Sequence, residues 1–264
     1  MAKSLSELAV DVLTTADPDK KTKKSRAHAS LWFSNGVHEI GGASPPLRPS
    51  RPERPELRDP KDVPKRGPGT LEGRAALLHA IAHIELNAVD LHWDIIARFS
   101  DTKMPKGFYD DWVKAADEEA KHFQLLSEVL ATMGFAYGDY AAHAGMWRAA
   151  EDTKDDLFAR LAIVPMVLEA RGLDVTPGMI TLFERHGPEI AVAALKTIYA
   201  EEVGHVAYGS KWFHFLCGRD ALDPKPEFHT LVKRYFPGGL KPPFNDEKRA
   251  EAGLPLDFYW PMAS

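Results

Sequence analysis

Two Glu-x-x-His quartets, each preceded by a lone glutamate, form a repeated set of potential metal ligands. The lone glutamate precedes the glutamate of its quartet by 34 residues in the first set and by 33 in the second. The first triad is Glu85, Glu119 and His122, and the second triad is Glu169, Glu202 and His205. Residues three apart on a helix share a face, so each quartet projects an oxygen and a nitrogen ligand in one direction. Four carboxylates and two imidazoles suffice to hold two metal ions.

Both quartets lie in helical stripes whose other members are mainly apolar or aromatic. Trp112 and Leu126 share the stripe of the first quartet, and Leu195 and Trp212 share that of the second. No lysine or arginine occurs in these stripes, and a buried carboxylate without a counter-ion is costly. Oxygen-rich ligation with one imidazole per metal favours iron, or else manganese, over zinc or copper. A single Glu-x-x-His is usually a surface pair, but the repeat favours a dinuclear centre over a purely structural polar network.

Apolar residues that recur every three or four positions predict four long helices to carry the triads. These helices begin near residue 71, near Phe108, near Asp155 and near Ala191. No segment alternates with a period of two, so we expect an all-α four-helix bundle. Residues 71–217 would form this bundle, residues 1–70 an N-terminal helix and a Pro-rich arm, and residues 218–264 an extension packed on the bundle.

Two prolines modify the third of these helices. Pro165 lies four residues before Glu169 and should bend the helix where that ligand is presented. Thr176-Pro177 has the form of an N-cap followed by proline at the first helical position. That pattern predicts a separate short helix that starts there and ends near His186-Gly187.

The first 70 residues differ in character from the remainder of the chain. Residues 4–15 are typical of a short helix, and the basic cluster Lys20–Arg26 is better interpreted as a solvated turn than as a nucleic-acid site. Eight prolines between Pro45 and Pro68 favour an extended arm. We expect the arm to pack through apolar anchors such as Leu47 and Leu57.

Composition excludes several classes of protein. The 264 residues are 44% hydrophobic and 27% charged, with a net charge of −5, so the chain as a whole has no bias toward nucleic acid or anionic membranes. A single cysteine, Cys217, excludes an internal disulfide framework and CxxC motifs. Neither a secretory signal nor a membrane-spanning run is present in the sequence, so a cytoplasmic location is expected.

Further polar residues near the triads have a structural interpretation as the default. His92, on the stripe of Glu85, is better interpreted as a hydrogen-bonded core histidine than as a ligand. The pair His79 and His83 should point away from Glu85. For Tyr199 and Tyr208 two other roles stay open: donating hydrogen bonds to the ligands, or acting as redox-active phenols. The remaining pair, Arg171 and Asp174, would orient ligands or brace a turn.

Three strings in the chain resemble a bacterial ferritin-like family known mainly as a domain of unknown function. They span residues 72–87, 169–177 and 201–207, and Pro243-Phe244-Asn245 adds a fourth match. The resemblance extends over most of the chain and implies a ferritin-like fold with a di-iron-carboxylate site. All six residues of the two triads match the ligand positions of the ferritin-like pattern.

Ferritin-like sites serve oxidation, hydroxylation, peroxide reduction and iron storage, so the resemblance leaves the activity open. The favoured hypothesis is an oxidoreductase that activates dioxygen or peroxide, acts on a small-molecule substrate and uses an external electron donor. A hydroxylase that modifies tRNA is one version, supported only by the basic cluster and the arm. The alternative is a ferroxidase or storage protein without an organic substrate. The oligomeric state stays open.

Overall fold

Helices make up 68% of the chain, and the residues that the structure describes form no β-strand, only two isolated bridges. The structure, a computed structural model, describes residues 3–64 and 67–264. Lys65 and Arg66 of the Pro-rich arm lie outside the described residues, as do Met1 and Ala2. The all-α prediction is confirmed.

The chain divides into two units, Met1–Trp147 and Arg148–Ser264. The first unit contains α1 (Leu5–Leu13), α2 (Pro18–Phe33), α3 (Leu71–Arg98) and α4 (Lys106–Thr132). A short helix, α5 (Gly145–Asp152), crosses the boundary. The second unit contains α6 (Leu157–Ile163), a π-helical segment (Val164–Glu169), α7 (Ala170–His186), α8 (Glu189–Asp220), α9 (Pro224–Tyr235), α10 (Asp246–Glu251) and α11 (Leu256–Tyr259). None of the helices formed by the described residues is long and apolar enough to cross a membrane.

A hairpin of two long helices forms the centre of the first unit. Thr70 caps α3 by accepting a hydrogen bond from the Gly73 N–H at 3.0 Å, and a short connection leads from α3 into α4. Glu85 contacts His122 and His92 faces Glu119, so the two helices run antiparallel. The helices predicted to begin near residue 71 and near Phe108 are confirmed as α3 and α4.

The basic cluster Lys20–Arg26 is helical, so its interpretation as a solvated turn is wrong. Asp17 accepts a hydrogen bond from the Lys20 N–H at 2.8 Å and caps α2, with Pro18 at its first position. Lys21 is buried and forms an ion pair with the buried Asp90 of α3. Burial lowers the pKa of Lys21, which the Asp90 charge offsets in part. Lys21 therefore belongs to the buried core of the first unit and not to a solvated surface.

Polar contacts of its backbone hold the Pro-rich arm on the first unit. The Ser50 N–H donates to the Leu13 carbonyl at 2.8 Å, and Nζ of Lys21 donates to the Ser50 carbonyl at 3.1 Å. The Pro46 carbonyl accepts from Nη2 of Arg98 at 2.9 Å. Leu47 and Leu57, the expected apolar anchors, are instead exposed. Hydrogen bonds and the buried prolines Pro49 and Pro55, rather than the two leucines, therefore hold the arm.

The second unit also contains a hairpin of long helices. One arm runs through α6, the π-helical segment and α7, and the other arm is α8. Pro165 lies at the start of the π-helical segment, where a residue without an N–H interrupts the α-helical ladder. Glu169 is the last residue of this segment. A π-helical segment therefore lies at the position where the sequence predicted that Pro165 bends the helix.

The prediction that a separate helix starts at Thr176-Pro177 is wrong. Pro177 lies inside α7, which continues to His186. Proline removes the N–H that would bond the carbonyl four residues earlier, here that of Leu173. This carbonyl accepts a hydrogen bond from Nδ2 of Asn245 at 3.1 Å instead. A side chain far away in sequence thus allows the helix to continue.

His79 and His83 take part in a cluster with Tyr137. Nδ1 of His83 lies 2.8 Å from the Tyr137 hydroxyl, and the His79 ring stacks on the Tyr137 ring at 5.1 Å. Nε2 of His79 accepts the Gly138 N–H at 2.9 Å. Burial lowers the pKa of His79 to about 4, so the folded chain holds this imidazole neutral. Both histidines therefore fix the segment that follows α4.

His79 should make the fold sensitive to acid. Its folded-state pKa lies below the ordinary value of 6.5, so its stabilisation is complete above pH 6.5 and is lost as the pH falls toward 4. We expect His79→Gln, which keeps an acceptor for the Gly138 N–H, to remove about 2 kcal/mol of this loss. Urea unfolding at pH 7.5 and pH 4.5 measures the difference. The matched control is His38→Gln at an exposed position; equal acid sensitivity in the two variants would contradict the prediction.

Candidate functional site

The first triad lies on the facing sides of α3 and α4. Glu85 comes from α3, and Glu119 and His122 come from α4. Each side chain offers a ligand atom within 4.8 Å of the others. Nδ1 of His122 lies 3.0 Å from Oε2 of Glu85 and 3.4 Å from Oε2 of Glu119. The structure therefore brings these three side chains together, and buried groups in this arrangement could hold a metal ion.

Burial gives the first triad an unusual electrostatic state. All three residues are at most 3% exposed. The pKa of Glu85 is raised well above its ordinary value, first because burial disfavours the charged form and then because the Glu119 carboxylate is close. Only the imidazole of His122 opposes this shift in part. Two buried carboxylates and one imidazole this close together form a set of potential ligands. A bound cation would stabilise the negative charge of the carboxylates.

The second triad is carried by the hairpin of the second unit. Glu202 and His205 lie one helical turn apart on α8, with Nδ1 of His205 3.6 Å from Oε1 of Glu202. A Cβ atom added to Gly172 of α7 would lie 3.9 Å from Oε2 of Glu202, so α7 passes close to this carboxylate. All three residues of the triad are at most 7% exposed. Among the described residues, no group of three or more ligand atoms within 4.8 Å includes Glu169.

Comparison with known proteins places the chain in a family. Residues 14–260 match the family described as "Protein of unknown function (DUF455)". The chain belongs to that family. An uncharacterized protein of Haemophilus influenzae is 44% identical over 200 residues, which cover 74% of this chain and 69% of the relative. No solved structure matches the chain.

His92 is a residue that the sequence interpretation left outside the ligand set. Its Nε2 atom lies 3.7 Å from Oε1 of Glu119, and the side chain is 1% exposed. The Trp112 ring stacks on the imidazole at 5.3 Å and fixes its plane. The signal in the sequence was the position of His92 seven residues after Glu85, two turns along the same stripe. Helix periodicity alone could not show that Glu119 lies opposite.

Two of the secondary candidates make contacts that brace the second unit. The Tyr199 hydroxyl accepts from Nδ2 of Asn245 at 2.7 Å. Asp174 accepts from Nε of Arg249 at 2.8 Å and from Nη2 at 2.7 Å. Tyr208 stays beside the second triad, with its ring centroid 6.4 Å from that of His205. Tyr199 and Asp174 therefore support the unit, and Tyr208 lies beside His205.

Gly209 permits the π-helical segment to pack closely on α8. A Cβ atom at this position would lie 2.5 Å from Cβ and Cγ of Pro165, closer than any real contact, and a proline ring has little freedom to move aside. We therefore expect Gly209→Ala to lower the free energy of unfolding by about 1–3 kcal/mol.

Gly218, on the same helix, provides the matched control for this prediction. A Cβ atom there would meet nothing within 4 Å, so Gly218→Ala should leave the free energy of unfolding unchanged or raise it by up to about 1 kcal/mol. Denaturant unfolding of both variants measures the contrast. Equal stability of the two variants would show that Gly209 has no packing role.

Proposed function

We propose that the chain is a dinuclear iron or manganese carboxylate protein and that it acts as an oxidoreductase. The observation that carries the proposal is the first triad, in which two buried carboxylates and an imidazole have ligand atoms within 4.8 Å of one another. The second triad repeats the same three residue types at nearly the same spacing. Together the triads supply one Glu-x-x-His motif and one further glutamate for each of two ions.

The chemistry of the donor set favours iron and manganese. Carboxylate oxygens with one imidazole per ion suit these metals better than zinc, which prefers sulfur and nitrogen ligands, or copper. His92 belongs to the proposed site as a further imidazole, since its Nε2 atom lies close to Glu119. We extend the proposal to a ferritin-like fold, because each unit contributes one hairpin of long helices to carry one triad.

The residues of the chain have distinct roles in this proposal. When bound, such ions supply the one-electron and dioxygen chemistry of non-haem iron enzymes. Glu85, whose pKa is raised by burial and by Glu119, can hold a proton at its carboxylate until a cation displaces it. Trp112 stacks on His92 and orients the imidazole whose Nε2 atom lies 3.7 Å from Oε1 of Glu119. The burial of these side chains thus creates a site whose negative charge a bound cation would stabilise.

Titration of the metal-free protein with ferrous iron in air tests this function. An oxidoreductase should retain about two iron ions per chain and should consume further oxygen only when an electron donor and a substrate are supplied. A storage protein would continue to accumulate iron far beyond two ions per chain and would elute from size-exclusion chromatography as a large cage. Accumulation of that kind would replace the proposed function with the iron-handling alternative.

A further inference from the structure

A cavity of about 370 Å³ lies beside the π-helical segment, entirely within the second unit. Leu168, Phe236, Leu240 and Phe244 form most of its apolar lining. The volume is within the range of small-molecule sites, about 300–1,000 Å³. Leu168 immediately precedes Glu169, so the residue next to a proposed ligand forms part of the wall. The cavity therefore has the size, the lining and the location expected of a substrate site.

The loop from Pro237 to Asn245 closes one side of the cavity and is fixed at both ends. Near its start, the Leu240 N–H donates to the Met262 carbonyl at 2.8 Å. At its end, the Asn245 N–H donates to Oδ1 of Asp174 at 2.9 Å. Phe244 packs against the rings of Tyr259 and Trp260, with centroids 5.0 and 5.1 Å apart. These contacts hold the loop in one position, so that it forms an ordered wall of the cavity.

Positive charge predominates at the cavity. Asp174, the acidic residue of the lining, is neutralised by two hydrogen bonds from the buried Arg249. Arg171 uses Nη1 to donate to the carbonyls of Lys241 and Pro243 at 2.7 and 3.0 Å. Among the described residues, no acceptor bonds its Nε or Nη2 atom. Nη1 of Arg171 also lies 3.4 Å from Oδ2 of Asp174. The three cations Arg171, Lys241 and Arg249 therefore face a single carboxylate, which leaves a net positive charge at an otherwise apolar cavity.

We propose that this cavity binds a molecule with an apolar chain and a carboxylate head group. The chain would fill the space between Leu168 and the two phenylalanines, and the carboxylate would accept hydrogen bonds from Arg171 and Lys241. A planar guanidinium with two parallel N–H groups matches the geometry of a carboxylate. As an identification of the substrate class, the inference rests on the proposed oxidoreductase function. As the assignment of a binding site, the inference depends only on the cavity.

Binding of three probes of equal chain length tests the inference: decanoate, decyl alcohol and decyltrimethylammonium. Isothermal titration calorimetry at concentrations below micelle formation should give the tightest binding for decanoate. Lys241→Gln should weaken decanoate binding about tenfold, the equivalent of one charge-assisted hydrogen bond, and should leave decyl alcohol unchanged. Lys233→Gln, an exposed lysine of the same unit outside the lining, is the matched control. Leu168→Trp, which fills the cavity, should abolish binding of all three probes.

Several outcomes would overturn the inference. They are equal affinity for the three probes, no saturable binding of decanoate, or equal effects of Lys241→Gln and Lys233→Gln. Metal content measured on the same samples separates this inference from the proposed function. Decanoate binding to a protein that takes up no metal would support the cavity and overturn its assignment as a substrate site. About two ions per chain without decanoate binding would overturn the cavity and leave the metal site standing.

Discussion

Glu119→Ala is expected to remove at least one metal ion per chain. Glu119 contributes a carboxylate close to both His122 and His92, and an alanine leaves those imidazoles without the negative charge that complements a cation. Outer-shell changes at metal sites already cost about 10–100-fold in affinity, and the loss of a direct ligand should cost more. Elemental analysis and competition with a chelator measure the content and the affinity.

The second triad should respond in the same way. Glu202→Ala is expected to lower the metal content as Glu119→Ala does, and the double variant should bind no metal. The controls are Glu128→Ala on α4 and Glu189→Ala on α8, which alter exposed glutamates of the same two helices. If Glu119→Ala and Glu128→Ala retained equal metal, the first triad would have a structural role.

Asp174→Ala is expected to lower the free energy of unfolding by about 3–5 kcal/mol. The Asp174 side chain is 0% exposed and that of Arg249 is 2% exposed, so the change leaves a buried guanidinium without its carboxylate. The contacts of Arg249 with the rings of Phe244 and Tyr259 would not compensate for the lost charge. Denaturant unfolding measures the change.

Two further variants separate the loss of a buried charge partner from the loss of packing. Asp155→Ala removes an exposed carboxylate paired with Lys154 and should cost at most about 1 kcal/mol. Adding Arg249→Met to Asp174→Ala removes the isolated charge and should recover part of the lost stability. If the double variant were no more stable than Asp174→Ala, the Asp174–Arg249 pair would stabilise the fold through packing and not through charge.

Local patterns in the sequence predicted the helices that carry most of the proposed ligands. The stripes through Glu85, Glu119 and Glu202 have strong periodicity, and α3, α4 and α8 begin close to the predicted positions. The prediction of a turn at Lys20–Arg26 was wrong because the Asp17-Pro18 cap, and not the run of charges, decides the local structure and starts α2. Such a cap is a local signal that could have been recognised.

Other features depend on contacts between residues far apart in sequence. The course of α7 through Pro177 depends on Asn245, and the position of His92 depends on its opposition to Glu119 across the α3–α4 hairpin. The cavity beside Leu168 likewise requires the loop from Pro237 to Asn245 to fold back onto α7. No helical period or capping rule contains this information, so a single sequence could not supply it.

The number of metal ions per chain tests the central claim most directly. Wild-type protein would be produced with iron and manganese both available, and its metals would be counted by elemental analysis against protein concentration from amino-acid analysis. The account predicts about two ions of iron or manganese per chain. A protein with no metal, even after incubation with either ion, would mean that the two triads form a structural polar network.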